Sequence, residues 1–386
     1  MKKSLHVSAA GFAAFAALTV AACGTGTGAG RGEAPALKES LTGRFHIGTA
    51  LSADHIHERD ALADAIIVRH FDAIVPENCM KSGPMQPREG EFFWNDADRF
   101  VEYGEKHGMW ITGHCLVWHS QAPSWFFTDA DGNDVSREVL IERMRSHIHA
   151  VVGRYKGRVR GWDVVNEAIM EDGSYRQSRF VRIIGEDFIP LAFQFAHEAD
   201  PDAELYYNDY NEWFPGKRDA IVKLVGELKA RGLRIDGVGM QGHVGMNSPT
   251  VDEYRAAIDA YGKAGVKVMI TELDMSALPS PTRRGGAGGA NIADTVGYRE
   301  AMNPFTSAIS NEVSEQWNAR MGELFRLFLE RDDVVSRVTL WGVTDATSWK
   351  NDFPMPGRTD YPLLFDRQYG AKPVVWDIAN MAGEIK

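Results

Sequence analysis

The 386-residue chain carries 53 Asp+Glu against 42 Lys+Arg, a formal net charge of −11 with no basic run, which argues against nucleic acid or an anionic membrane surface as its main partner. Apolar residues at 44% and charged residues at 25% are ordinary for a globular protein, and a chain this long can bury a large core. Three cysteines are too few for a disulfide scaffold, and the length suits either two or three average domains or one α/β barrel.

Lys2 and Lys3 precede an apolar run from Ala9 to Ala22. That run is too short to span a bilayer and has the size of a signal-peptide core. It ends Val20-Ala21-Ala22-Cys23, which resembles a bacterial lipobox, where the cysteine is acylated after cleavage. The competing reading is an ordinary secretory signal cut near Ala22. Under the lipobox reading, residues 1–22 are the signal and Cys23 carries the lipid. Residues 23–37, opening Gly24-Thr25-Gly26-Thr27-Gly28-Ala29-Gly30, form a flexible tether. The expectation is an exported protein anchored to a bacterial membrane, facing the periplasm or the cell surface. Loss of Lys2 and Lys3 leaves the mature chain more acidic still.

From Phe45 onward, short runs rich in β-branched and aromatic residues alternate with longer helical patterns. Strands are predicted near 45–51, 70–77, 109–118, 159–166, 203–210, 235–242, 267–274 and 337–344. Between them, Leu140, Met144, Ile148, Val151 and Val152 share one helical face, as do Trp317, Met321, Leu324, Phe325 and Phe328. Eight strand–helix repeats predict a single (β/α)8 TIM barrel, an α/β fold whose sites lie at the C-terminal ends of the strands. An open doubly wound sheet would need a phosphate-binding glycine motif after an early strand, and none is present. The glycine-rich 285–289 stretch falls late and lacks a following helix start.

The predicted strand ends are polar. They read Glu77-Asn78-Cys79-Met80-Lys81, His114 to His119, Asn166-Glu167, Gln241-Gly242-His243, Glu272-Leu273-Asp274, and Trp341 to Asp345. Small or turn-forming residues would suffice for a purely structural rim. Glu167 and Glu272 end strands 4 and 7, on roughly opposite sides of the barrel mouth. Two carboxylates across a cleft suit glycoside hydrolysis, where one protonates the leaving oxygen and the other attacks or activates water. Asn166 could hold a sugar hydroxyl, His243 could keep Glu272 ionised, and Asp274 could orient His243.

These stretches resemble glycoside hydrolase family 10, the xylanases. The resemblance is carried by GHCLVWHSQAPSW at 113–125, WDVVNEAI at 162–169, LYYNDYN at 205–211, GMQGH at 239–243, ITELDM at 270–275 and LWGVTD at 340–345. It covers residues 38–386, which form the catalytic barrel. It implies a retaining endo-1,4-β-xylanase acting on xylan or xylo-oligosaccharides, with Glu272 as nucleophile and Glu167 as acid/base. It further implies sugar contacts from Glu77, Asn78, Lys81, His114, Trp118, Gln121, Gln241, Trp341 and Trp349. No cofactor or metal is expected, nor a nucleic-acid partner, and a monomer is anticipated. Ser82, where the family often has an aromatic residue, leaves the outer subsite open; Cys115 replaces a frequent Thr.

Rival functions are a β-1,4-glucanase, an exo-acting or oligosaccharide-trimming enzyme of the same chemistry, a non-catalytic sugar-binding barrel, and a metal-dependent hydrolase. The last draws on His55 and His57, which are read instead as surface residues at a helix start. Cys79 and Cys115 either pair in an oxidising compartment or stay as two small buried thiols; the sequence leaves both open, and the demanding geometry of a bridge favours the thiols. Trp94, Trp110, Trp162 and Trp376 are assigned to packing, and Trp125 and Trp213 are left undecided. The glycine-rich stretch 280–303 is either a wall beside the leaving group or a surface insertion.

Overall fold

The computed structural model describes residues 32–279 and 300–385. The signal segment, Cys23, most of the tether and most of the 280–303 stretch lie outside the described residues. From Pro35 onward the chain forms one compact unit. Its strands are β1 (His46–Leu51), β2 (Ala73–Pro76), β3 (Trp110–Trp118), β4 (Gly161–Asn166), β5 (Glu204–Asp209), β6 (Gly237–Met240), β7 (His243–Gly245), β8 (Lys267–Ser276) and β9 (Val335–Leu340). Neighbours pair in parallel from β1 to β6, β6 pairs with β8, β8 with β9, and β9 with β1. The ring of eight is therefore closed, and β7 is a short appendage on β8. This is the TIM barrel that the alternating pattern predicts.

Strands covered on both faces are largely apolar. Every residue of β2 and β4 is buried, and β5 buries Leu205, Tyr206 and Tyr207. Helices start where a side chain can satisfy their first free N–H groups. Ser136 accepts from Val139 N ahead of helix Arg137–Arg154, and Ser310 accepts from Val313 N ahead of helix Asn311–Glu330. Thr250 and Glu253 form a reciprocal capping box on helix Val251–Lys263. The two apolar stripes named from the sequence are buried as predicted.

Close approach inside the barrel demands glycine at two positions. A Cβ on Gly113 would sit 2.1 Å from the Trp162 ring, the largest fully buried side chain of β4. A Cβ on Gly239 would sit 2.2 Å from Asn208 Oδ1, so this glycine leaves room for a polar group at the barrel mouth.

Several strand boundaries differ from expectation, and three of them do so for clear local reasons. His70 is the last residue of helix Ala61–His70 and packs edge-on to Phe365, so β2 begins three residues later. Gly242 at φ 79° turns the chain out of β6, and His243 then pairs along β8. Gly342 at φ 130° ends the last strand early, which frees Trp341 to Thr344 for the rim. Register shifts between His114 and Val117, Asp163 and Val165, and Ile270 and Leu273 also fall near the mouth, where such bulges re-aim side chains.

His55 corrects the surface reading. It does lie in a helix start, Ala53–Ile56, but it is buried because its Nδ1 accepts from Ser52 N at 3.1 Å and closes a capping box. His57 is partly exposed and pairs with Asp96 at 2.8 Å. Cys79 and Cys115 are both free thiols, and burial pushes Cys79 up to about 12. Of the packing tryptophans, Trp162 is fully buried, whereas Trp94, Trp110 and Trp376 are only half-buried. Trp213 is buried, and Trp125 donates from its indole to Gln86 O at 2.8 Å.

Candidate active site

A cleft of about 690 Å³ opens at the C-terminal ends of the strands. Glu77, Asn78 and Lys81 follow β2, and His114 and Trp118 lie on β3 with Gln121 just beyond. Asn166 and Glu167 come from the end of β4, Gln241 and His243 from β6 and β7, and Glu272 from β8. Trp341 and Trp349 follow β9. All of these candidates line one cavity. Asp274 does not line it; fully buried, it stands behind His243.

Glu272 is held at both oxygens. Asn208 Nδ2 donates to Oε1 at 2.9 Å, and His243 Nε2 lies 3.1 Å from Oε2. Burial pushes this carboxyl up, but the His243 hydrogen bond and the charges of His114, His243 and Lys81 outweigh burial. The group therefore ionises below the usual carboxylate range.

His243 Nδ1 lies 3.0 Å from Asp274 Oδ1. Burial pulls the imidazole down, but Asp274 and Glu272 overcome this and lift it to about 9, so it is a cation at neutral pH. Asp274 moves the opposite way: burial raises it, and His243, Lys350 and the Trp349 indole more than compensate, so it stays ionised. Trp349 Nε1 donates to its Oδ2 at 2.7 Å, and Lys350 Nζ lies 3.4 Å from its Oδ1.

Glu167 is held differently. Trp118 Nε1 donates to Oε2 at 2.9 Å, and Gln241 Nε2 to Oε1 at 3.1 Å. Its backbone adopts φ 58°, a left-handed conformation that costs a non-glycine residue energy. Arg176 Nε secures that turn by donating to Glu167 O at 2.8 Å. The Gln241 backbone is held in turn, since its main-chain N–H donates to buried Glu212 Oε1 at 2.6 Å.

The two carboxylates are linked through amides. Gln241 Nε2 reaches Asn166 Oδ1 at 3.3 Å, Asn208 Nδ2 reaches that same oxygen at 2.9 Å, and Asn208 also donates to Glu272. Thr271 Oγ1 donates to Asn208 Oδ1 at 2.6 Å and fixes which way this amide faces.

The walls combine cation, amide and indole. Lys81 Nζ donates to Asn78 Oδ1 at 3.1 Å and lies 5.0 Å over the Trp118 ring. Burial pushes the Glu77 carboxyl up, partly offset by Lys81 and Asn78. His114 pairs with buried Asp163 at 2.8 Å and meets Trp341 edge-on at 5.4 Å. Such a cavity offers hydroxyl-binding edges and flat apolar faces, which a sugar needs, around two carboxylates with different partners.

The sequence reading missed Tyr210, Asn211, Lys350 and Phe353, which also line the cleft, and Asn208, which bridges its polar floor. The first two and Asn208 lie in the quoted LYYNDYN stretch, whose polar strand end was the available signal. Lys350 and Phe353 lie in a loop beyond Trp349 with no periodic signature.

Comparison with known proteins gives a consistent result. The model of glycosyl hydrolase family 10 matches residues 36–381. Endo-1,4-β-xylanase A of Xylanibacter ruminicola is 49% identical over 90% of this chain and 93% of its own length. An endo-1,4-β-xylanase of Geobacillus stearothermophilus is 43% identical over 90% and 98%. Among solved structures, an endoxylanase of this family from a sugarcane soil metagenome superposes with TM-score 0.83 at 43% identity, covering 90% of this chain and 99% of its own.

Proposed function

Given that the chain belongs to glycosyl hydrolase family 10, we propose that it is an endo-1,4-β-xylanase that cleaves xylan with retention of anomeric configuration. Glu272 attacks the anomeric carbon as the carbon–oxygen bond to the leaving sugar breaks, and Glu167 gives its proton to the departing oxygen. Water then loses a proton to Glu167 and attacks the same carbon, which releases Glu272 and a β-configured product.

The reading rests chiefly on one observation: Glu272 is kept ionised mainly by its hydrogen bond to cationic His243, while among the described residues the donors to the Glu167 carboxyl oxygens, from Trp118, Gln241 and Asn166, are neutral. An ionised carboxylate suits the nucleophile, and the other must hold and return a proton. Asn166, His243 and Asp274 support the pair. Glu77, Asn78, Lys81, His114, Trp118, Gln121, Gln241, Trp341 and Trp349 hold the substrate. Names of relatives that are endo-1,4-β-xylanases favour xylan over glucan as the polymer.

Chromatography of products from xylan and carboxymethylcellulose, side by side, tests the activity. Mixed short xylo-oligomers from xylan with little release from cellulose are expected. Release of xylose alone, or equal attack on cellulose, would overturn the endo-xylanase reading. The Cys23 lipid anchor, and with it an exported, membrane-held enzyme, is proposed on the strength of the apolar run and the lipobox-like ending.

A further inference from the structure

Among the described residues, five large apolar side chains stand out as exposed: Leu62, Phe93, Val139, Phe214 and Phe353. Only Phe353 among them lines the cleft. The residue is 53% exposed, yet several contacts hold it in place. The ring stacks on Trp349 with centroids 4.9 Å apart and planes inclined by 26°. Its backbone N–H donates to Trp349 O at 3.1 Å, and its carbonyl accepts from Arg358 Nη1 at 3.4 Å. Trp349 is itself anchored by its indole bond to Asp274 and by packing against Ala50, Val75 and Trp341. One face of the Phe353 ring is therefore spent on Trp349, and much of the remainder meets solvent at the cleft rim.

An immobilised aromatic ring left wet at the edge of a sugar-binding cleft suits a pyranose. Such a ring matches the C–H face of a sugar, and the ordering cost has already been met by the stack beneath it. Xylose lacks a hydroxymethyl arm, so its faces are flat. We infer that Phe353 is a specificity-determining residue that stacks a xylose ring outside the scissile unit and favours longer chains. The inference rests on the proposed xylanase activity.

The test compares Phe353→Leu and Phe353→Trp with the wild type on xylotriose and xylohexaose. Leucine keeps apolar packing on Trp349 but removes the flat face. The Leu variant should raise KM for xylohexaose by about fivefold and for xylotriose by less than about twofold, with kcat little changed, while Trp restores the long-chain preference. Equal KM losses on both lengths, or a fall mainly in kcat, would overturn the inference in favour of support for Trp349. Unaltered KM on both would also overturn it. Failure of the wild type to cleave either oligomer would instead refute the xylanase reading beneath it.

Discussion

His243 Nδ1 lies 3.0 Å from Asp274 Oδ1, and the far nitrogen of the same ring lies 3.1 Å from Glu272. One cation thus serves two buried carboxylates. Asp274 sits too deep to touch substrate and acts through the imidazole.

This pair should be visible in the pH dependence of stability. The folded protein holds the His243 proton more tightly than the unfolded chain, with the group raised from 6.5 to about 9. Its stabilisation is therefore complete below about 6.5 and lost as pH rises through about 9. Thermal melts of the wild type should fall across that window, and those of His243→Asn should fall less. Identical pH profiles for the two would count against the ion pair.

Activity should show the matching acid limb. Glu272 ionises below the usual carboxylate range, so kcat/KM on an aryl xylobioside should persist below its ordinary value of 4.5. Asp274→Asn weakens the hold on cationic His243 and should move this limb upward. A limb that stays in place in that variant would refute the relay from Asp274 to Glu272.

The two carboxylates should fail differently. Glu272→Ala should lower turnover by more than about a thousandfold on every substrate. Glu167→Ala should cost about 100- to 10,000-fold on xylan, which needs a protonated leaving group, and far less on activated aryl glycosides. Equal losses on both substrates would argue against an acid at Glu167.

Asn208 ties Asn166 to Glu272 across the floor of the site. Its amide nitrogen lies 2.9 Å from both Asn166 Oδ1 and Glu272 Oε1, and its oxygen accepts from Thr271. Asn208→Ala leaves those buried groups short of partners and should cost about 1–3 kcal/mol by denaturant titration, with reduced kcat. Gly239→Ala should reproduce the defect, since its new methyl would collide with Asn208 Oδ1. A fully active, fully stable Gly239→Ala protein would show that the bridge is dispensable.

Cys23→Ser should move the protein from the membrane to the soluble fraction on cell fractionation. Retention on the membrane would sink the lipid-anchor proposal.

Much of the architecture is legible in the chain because barrel strands, buried on both faces, read as continuous apolar runs ending in polar residues. That pattern placed Glu167 at the end of β4 and Glu272 on β8, and brought Trp341 to the rim just past β9. It overran β9 because Trp341 to Thr344 look like strand, whereas Gly342 at φ 130° takes the chain out of the ladder. Burial of His55 escaped notice because capping is a matter of local geometry, not of hydrophobic period. Lys350 and Phe353 reach the cleft only through the fold of their loop, where Trp349, Asp274 and Arg358 fix positions that no spacing encodes.

Double displacement at Glu272 leaves a stereochemical record that proton NMR reads when xylohexaose hydrolysis is followed from the first turnover. Each new reducing end should appear first as the β-anomer, with the α-anomer growing in only by mutarotation, and internal bonds should be cut. First appearance of the α-anomer would mean single displacement by water and would contradict the assignment of Glu272.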